Sequence, residues 1–301
     1  VQEPKERLIH ATRIRDRVWQ RSMCNNGLYE DMTRGLIYDN AACQKGKGVD
    51  FAINRLKEQM RRYYQQNHTN RGWAAHLDIH HYFPSTPQSV AKDTLRRRIQ
   101  DPDFLRHAEA IVDSFEDTRT AEEIKASGYT EKCGIHLGSQ MSQLIQLGNP
   151  DQIDHYLKEH MHVRYYARYM DDFIIIDGSQ EHLMECVKYV EKSLREMGLS
   201  LNKKSCVYPL EQGITYLHIH FKLGERGKVI LRLDRKSISK ERKKLRSLKT
   251  LLEAGKISMD DVRAQYNSWT AHTKRTNSHG IRKQMNQYYS DLFGENPTVK
   301  L

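Results

Sequence analysis

Long apolar runs are missing from this chain of 301 residues: hydrophobic residues make up 38% of it. No stretch approaches the ~20 consecutive apolar residues of a bilayer-spanning helix, so a membrane-spanning protein is excluded. Cysteine is scarce. The five present, Cys24, Cys43, Cys133, Cys186 and Cys206, are scattered and never form a C-x-x-C pair. Neither a disulfide framework nor a thiolate zinc site is indicated, and a reducing, cytoplasmic setting is expected. The fifteen histidines, His80-His81 and His218/His220 among them, lack the paired spacing of zinc ligands and read as packing or RNA-contacting residues. Acid falls short of base, 38 Asp+Glu against 49 Lys+Arg, for a net charge of +11. In a chain long enough for two lobes, that surplus points to a polyanionic partner, nucleic acid first, with ribosomal or membrane-surface binding as the plainer alternative. No signal peptide follows Val1, and the natural N-terminus is expected upstream.

Residues 1–48 are basic and punctuated by glycine without sustained helical spacing, so strands and loops are expected there, ending in the mobile basic loop 44–48. Asp50 reads as the N-cap of an amphipathic helix carrying Ala52, Ile53, Leu56, Met60 and Tyr63 to about Gln66. Residues 73–79 read as a buried strand ending at Asp78, after which Thr86 as N-cap and Pro87 at the first helical position start a helix. Phe104, Leu105, Ala108, Ile111, Val112 and Phe115 form a core-facing stripe. A glycine-bearing loop from Gly134 runs into a helix broken near Gly148-Asn149-Pro150. Residues 163–176 read as a hairpin with Asp171 and Asp172 at its tip. The next helix stops at Gly198, and strands are expected over 205–208, 214–221 and 229–233. From Ser237 the chain is helical and strongly basic, and 235–294 is expected to be a separate lobe.

Adjacent aspartates at a hairpin tip repel one another unless cations neutralise them. Hard carboxylate oxygens suit Mg²⁺ or Mn²⁺, and Asp78 at the end of a neighbouring strand would complete a site for two ions ~3.5–4 Å apart, an arrangement suited to in-line phosphoryl transfer. The plainer alternative is a pair of acids capping a solvated turn.

The order of segments decides between these. An aspartate closes a strand at Asp78-Ile79-His80-His81-Tyr82-Phe83, a loop and helix follow at Gly138-Ser139-Gln140-Met141-Ser142-Gln143, and the hairpin reads Tyr169-Met170-Asp171-Asp172. Gly198–Ser205 and Tyr216–Phe221 come next. In this order the chain resembles the palm of reverse transcriptases over most of its length, the last two segments matching the fourth palm motif and the primer-grip hairpin.

The resemblance implies a mixed α/β right-hand polymerase, an antiparallel palm sheet backed by helices with small fingers and a helical thumb. Fingers are expected over 1–72, palm over 73–222, a connection over 223–234 and thumb over 235–301. It implies RNA-directed DNA synthesis in which Asp78, Asp171 and Asp172 are catalytic and, with Ile79, hold two Mg²⁺. Phe83, five residues after Asp78, would pack under the sugar and exclude a 2′-hydroxyl, unless it is ordinary core. Lys5, Arg7, Gly138, Gln140 and Lys203 fall at nucleotide-binding positions. Guanidinium and ammonium suit phosphate, although a solvated basic face or turn would look the same. Tyr169, Met170, His218, Lys243, Lys244 and Trp269 fall where primer, template and duplex run; Trp269 is equally a core residue, and His218 stands where glycine is usual.

Partners implied are an RNA template, a DNA primer and product duplex, and deoxynucleoside triphosphates. Leu137-Gly138 and Ser142-Gln143 depart from the Gln-Gly and Ser-Pro pairs of group II intron and retroviral enzymes. The Ser-Gln ending, the segment Tyr38–Gly48 and the region around Trp269 resemble diversity-generating retroelement enzymes and related bacterial ones, which work with a dedicated structured RNA and a basic accessory protein. A domesticated antiphage enzyme and a group II intron-type enzyme are the alternatives, the splicing role of the latter being less expected because 80 residues follow Phe221 here. The retron Val-Thr-Gly element is missing. Rivals of other classes are a catalytically idle RNA-binding scaffold and an RNA-dependent RNA polymerase.

Overall fold

The computed structural model describes residues 12–117, 119–127 and 130–297. The chain divides into two compact units, one of residues up to Leu56 with Gly72–Tyr208, the other of Lys57–Arg71 with the chain from Pro209 onward.

The first unit opens with helices α1 (Ile14–Met23) and α2 (Tyr29–Thr33), joined through a π-helical turn, Cys24–Leu28. Strands and loops were the expectation for this segment, and helices replace them. Their own pattern is short and interrupted by arginine, so the signal is weak. They hold because Met23, Cys24, Leu28 and Met32 bury against Ala91, Leu95 and Leu144 of later helices. Helix α3 (Val49–Asn67) contributes its residues through Leu56 to this unit, and Asp50 sits inside its first turn rather than capping it.

Strand β1 (Trp73–Asp78) is followed by α4 (Tyr82–Ser85), α5 (Gln88–Arg98), α6 (Pro102–Asp113), α7 (Ala121–Ser127), α8 (Gln140–Gly148) and α9 (Asp151–Glu159). Pro87, not Thr86, is the N-cap of α5. The Thr86 hydroxyl instead donates to the Tyr82 carbonyl at 2.6 Å, being buried against the preceding turn. The hairpin β2 (Tyr165–Tyr169) and β3 (Asp172–Asp177), helix α10 (Gln180–Glu196) and β4 (Cys206–Pro209) complete it.

The sheet runs β2-β3-β1-β4, with antiparallel β2–β3 and β3–β1 ladders. Phe173–Ile176 of the inner strand β3 are buried on both faces, which is why that strand reads as an unbroken apolar run. Phe173 and Ile175 pack on Leu183, Cys186, Val190 and Leu194 of α10. Each such side chain contributes ~1.5–3 kcal/mol of transfer free energy. Gly198 follows α10 with φ 68°, the left-handed C′ position that a Cβ would strain.

The second unit holds an antiparallel sheet, β5 (Ile214–Tyr216), β6 (Ile219–Leu223) and β7 (Val229–Leu233), and helices α11 (Arg235–Glu253), α12 (Met259–Thr273) and α13 (His279–Phe293). The single strand expected over 214–221 is a hairpin turning at Leu217-His218. Leu245, Leu248, Val262, Tyr266, Met285 and Tyr289 form the helical core. Ser258 and Asp261 make a reciprocal capping box at the start of α12. Asn277 bonds both ways with the backbone of Leu231, tying the helices to the sheet.

Candidate active site

Three carboxylates meet at one end of the first unit's sheet. The β1–β3 register sets Asp78 opposite Asp172, and Tyr169 pairs with Asp172 from the other side, so all three side chains share a face. Asp171 occupies the two-residue turn between β2 and β3, and its carbonyl accepts the Ile79 N–H at 3.2 Å. Met170, the first turn residue, has φ 56°, whereas Asp171 does not have positive φ, the sign pattern of a II′ turn.

Neighbours orient each acid. The Asn202 amide donates to Asp78 Oδ2 at 2.8 Å, and His76 Nε2 lies 2.9 Å from Asp172 Oδ1. Burial raises the pKa of Asp78, with Asp172 adding to it and Asn202 opposing. Burial, aided by Asp78 and Asp172, pushes Asp171 up to about 6. The site is therefore short of positive charge, and three hard oxygen donors in that condition fit divalent cations such as Mg²⁺ or Mn²⁺. Among the described residues no three His, Cys, Asp or Glu side chains already close around a point as a metal cage. Asp78 bonds to Asn202 while also meeting the Asp171 carboxyl, and Asp172 is turned to His76.

Phe83 is half-buried, packed against both apolar clusters and edge-on to Tyr82 at 5.9 Å between ring centroids. Ile79 is buried beside Asp78, Tyr169 and Met170 are half-buried, and Lys203 is exposed. Gly138, Ser139, Gln140 and Gln143 line a cavity of about 460 Å³ with Arg21 and Cys43. Gly138 enters α8 with φ 115°, a conformation suited to glycine, and Ser139 caps the helix. Gln140 Oε1 is buried without a hydrogen-bond partner among the described residues.

In the second unit, Lys243 and Lys244 are exposed on α11 and His218 is exposed at the β5–β6 turn. Trp269 packs against the helical core, stacked on Tyr266 at 5.8 Å, with its indole N–H buried and unpartnered among the described residues. Lys5 and Arg7 lie outside the described residues. His76, Arg168 and Asp154 had no role in the sequence reading, and Asn202 entered it only as part of the segment Gly198–Ser205. His76 carries a signal, two positions before Asp78 and so on the same strand face. Arg168 directly precedes the hairpin motif, but its partner Asp154 is separated from it in sequence and only the fold joins them.

Residues 5–221 match the family model of the reverse transcriptase, described as an RNA-dependent DNA polymerase. The chain belongs to the reverse transcriptase family. All three aspartates and the glycine-bearing loop fall within the matched region. A search of curated proteins finds no match. Among solved structures, the chain is similar to apo telomerase from Candida tropicalis truncated of its C-terminal domain, with TM-score 0.50 and 13% identity over 73% of this chain and 48% of that one. It is also similar to telomerase from Candida albicans in complex with a fragment of telomeric RNA, with TM-score 0.48 and 10% identity over 93% and 51% of the two chains. The chain thus spans about half the length of these telomerases. The first of them shares the polymerase fold with this reverse transcriptase-family chain. No helix among the described residues is long and apolar enough to cross a membrane.

Proposed function

We propose that this chain is an RNA-directed DNA polymerase that extends a primer 3′-hydroxyl with deoxynucleotides. The observation that carries the reading is the pairing of Asp78 with Asp172 across β1–β3, with Asp171 at the adjoining turn, inside the family-matched region. Asp78, Asp171 and Asp172, with Ile79, would hold two Mg²⁺. Ions bound there supply the Lewis acidity that activates the attacking hydroxyl and steadies the departing pyrophosphate.

The chain's own groups do the rest. Phe83 sits under the sugar and selects against a 2′-hydroxyl. Gly138 and Gln140 form the wall facing the incoming nucleotide, Lys5 and Arg7 grip its triphosphate, and Lys203 steadies pyrophosphate. Tyr169 and Met170 bear on the primer end, His218 on the primer strand, and Lys243 and Lys244 on the duplex phosphates, with Trp269 backing that surface. On this reading residues 1–72 are fingers, 73–222 palm, 223–234 connection and 235–301 thumb.

We place the chain with bacterial retroelement enzymes of the diversity-generating type, acting in the cytoplasm with a structured RNA and a basic accessory protein. The Ser142-Gln143 ending and the Tyr38–Gly48 segment support this. Antiphage and group II intron-type enzymes are the rivals. A template repeat beside a variable target gene would favour the retroelement, and an isolated defence cluster would favour the antiphage role.

One observation favours a second reading, an idle RNA-binding scaffold: Asp78 and Asp172 already bond to Asn202 and His76. Mg²⁺ titration separates the two. A melting-temperature rise lost in an Asp78→Asn/Asp171→Asn double variant supports the enzyme, and no rise supports the scaffold. Extension of a DNA primer on an RNA template, lost in Asp171→Asn, tests the activity itself.

A further inference from the structure

We propose that Arg168 is the positioning residue of the aspartate turn: anchored by Asp154, its buried guanidinium holds the Met170 carbonyl and so fixes where Asp171 and Asp172 point. Its effect on rate rests on the polymerase reading above, whereas its effect on the turn does not.

Arg168 lies on β2 and is completely buried. Its Nε meets both Asp154 oxygens at 2.8 Å. Nη2 reaches Asp154 Oδ2 at 2.7 Å and donates to the Leu147 carbonyl at 2.9 Å, and Nη1 donates to the Met170 carbonyl at 3.0 Å. Tyr166 donates to Asp154 Oδ1 at 2.5 Å, fixing the carboxylate in turn. One planar group thereby joins the last turn of α8, the first turn of α9 and the tip of the β2–β3 hairpin.

A buried ion pair is weak support for stability, because apolar residues of similar volume often serve as well. This one does something apolar residues cannot. Met170 holds a left-handed backbone that is strained for a non-glycine residue, and such strain persists only where the surroundings over-determine it. The turn is gripped at two consecutive carbonyls, Met170 by Arg168 and Asp171 by the Ile79 N–H. The Arg168 backbone is itself fixed, its N–H donating to Asp39 and its carbonyl accepting from Ala41, both at 3.0 Å. Lysine could neutralise Asp154, but a single ammonium lacks the planar fork that spans both carbonyls and the carboxylate.

Two variants test the clamp. Asp154→Leu/Arg168→Met removes the pair together and leaves no charge stranded, and Arg168→Lys keeps the charge and loses the fork. Each is compared with wild type by amide hydrogen exchange across residues 169–173, and by kcat and KM for deoxynucleotides. The clamp requires at least tenfold faster exchange at the turn in both variants, with Ile174–Ile176 still protected, and at least a tenfold loss in kcat with KM within about twofold. A folded double variant with wild-type exchange and kcat would overturn it, leaving the pair a replaceable part of the core. If wild type extends no primer, the polymerase reading fails on that ground, and turn exchange alone decides the clamp.

Discussion

Asp78 and Asp172 are direct cross-strand partners on the β1–β3 ladder, two like charges set opposite each other where most sheets place complementary pairs. Asn202 and His76 hold them in place, and Asp171 completes the group from the turn. Such a constellation is costly to the fold when no cation is bound, and its cost is measurable.

The pKa of Asp171, pushed up to about 6 from the ordinary 3.8, sets the sign of that effect. A raised folded-state value means that the native chain holds the proton more tightly than the unfolded chain. The penalty is therefore absent below about pH 4 and grows as pH rises through about 6. In EDTA at about pH 7.5, Asp171→Asn should be more stable than wild type by ~1–3 kcal/mol, with the gap closing by about pH 4. Equal melting temperatures at the higher pH would show that burial beside the other carboxylates does not penalise the charged Asp171 as described.

Phe83 is wedged between the two apolar clusters of the first unit, which fixes its ring. Phe83→Ala should admit ribonucleotides, raising their use relative to deoxynucleotides at least tenfold in single-nucleotide extension. Unchanged sugar discrimination would reduce Phe83 to core packing.

The Leu217-His218 turn has positive φ at both positions, 49° and 64°, a conformation suited to Asn-Gly. Leu217→Asn/His218→Gly should stabilise the protein by ~1 kcal/mol, seen as a rise of a few degrees in melting temperature. A lower melting temperature would mean that the native side chains make contacts outweighing the backbone strain.

Lys243 and Lys244 project from α11 into solvent. Replacing both by alanine should weaken RNA–DNA duplex binding similarly for all sequences and reduce the log–log salt slope by about two. A sequence-dependent loss, or an unchanged slope, would place them off the phosphate path.

Much of this was legible in the sequence because it rests on local pattern. The apolar run Phe173–Ile176, the break at Gly148-Asn149-Pro150 and the stop at Gly198 each follow from what a buried strand, a proline or a left-handed glycine does to a chain. That the aspartates come together was legible because their order along the chain carries the family's pattern. The helices at 14–33 were not, since burial against distant residues rather than periodicity makes them. Nor was the support of the site: the Arg168–Asp154 pair, Asn202 at Asp78 and His76 at Asp172 are made by the register of strands and the packing of helices, which no short motif encodes.

The most direct test of the central claim is extension of a DNA primer on an RNA template by the purified chain with Mg²⁺, comparing deoxy- with ribonucleotides and wild type with Asp171→Asn. The account requires deoxynucleotide incorporation by wild type and its loss in the variant. Extension by Asp171→Asn at near the wild-type rate would contradict it.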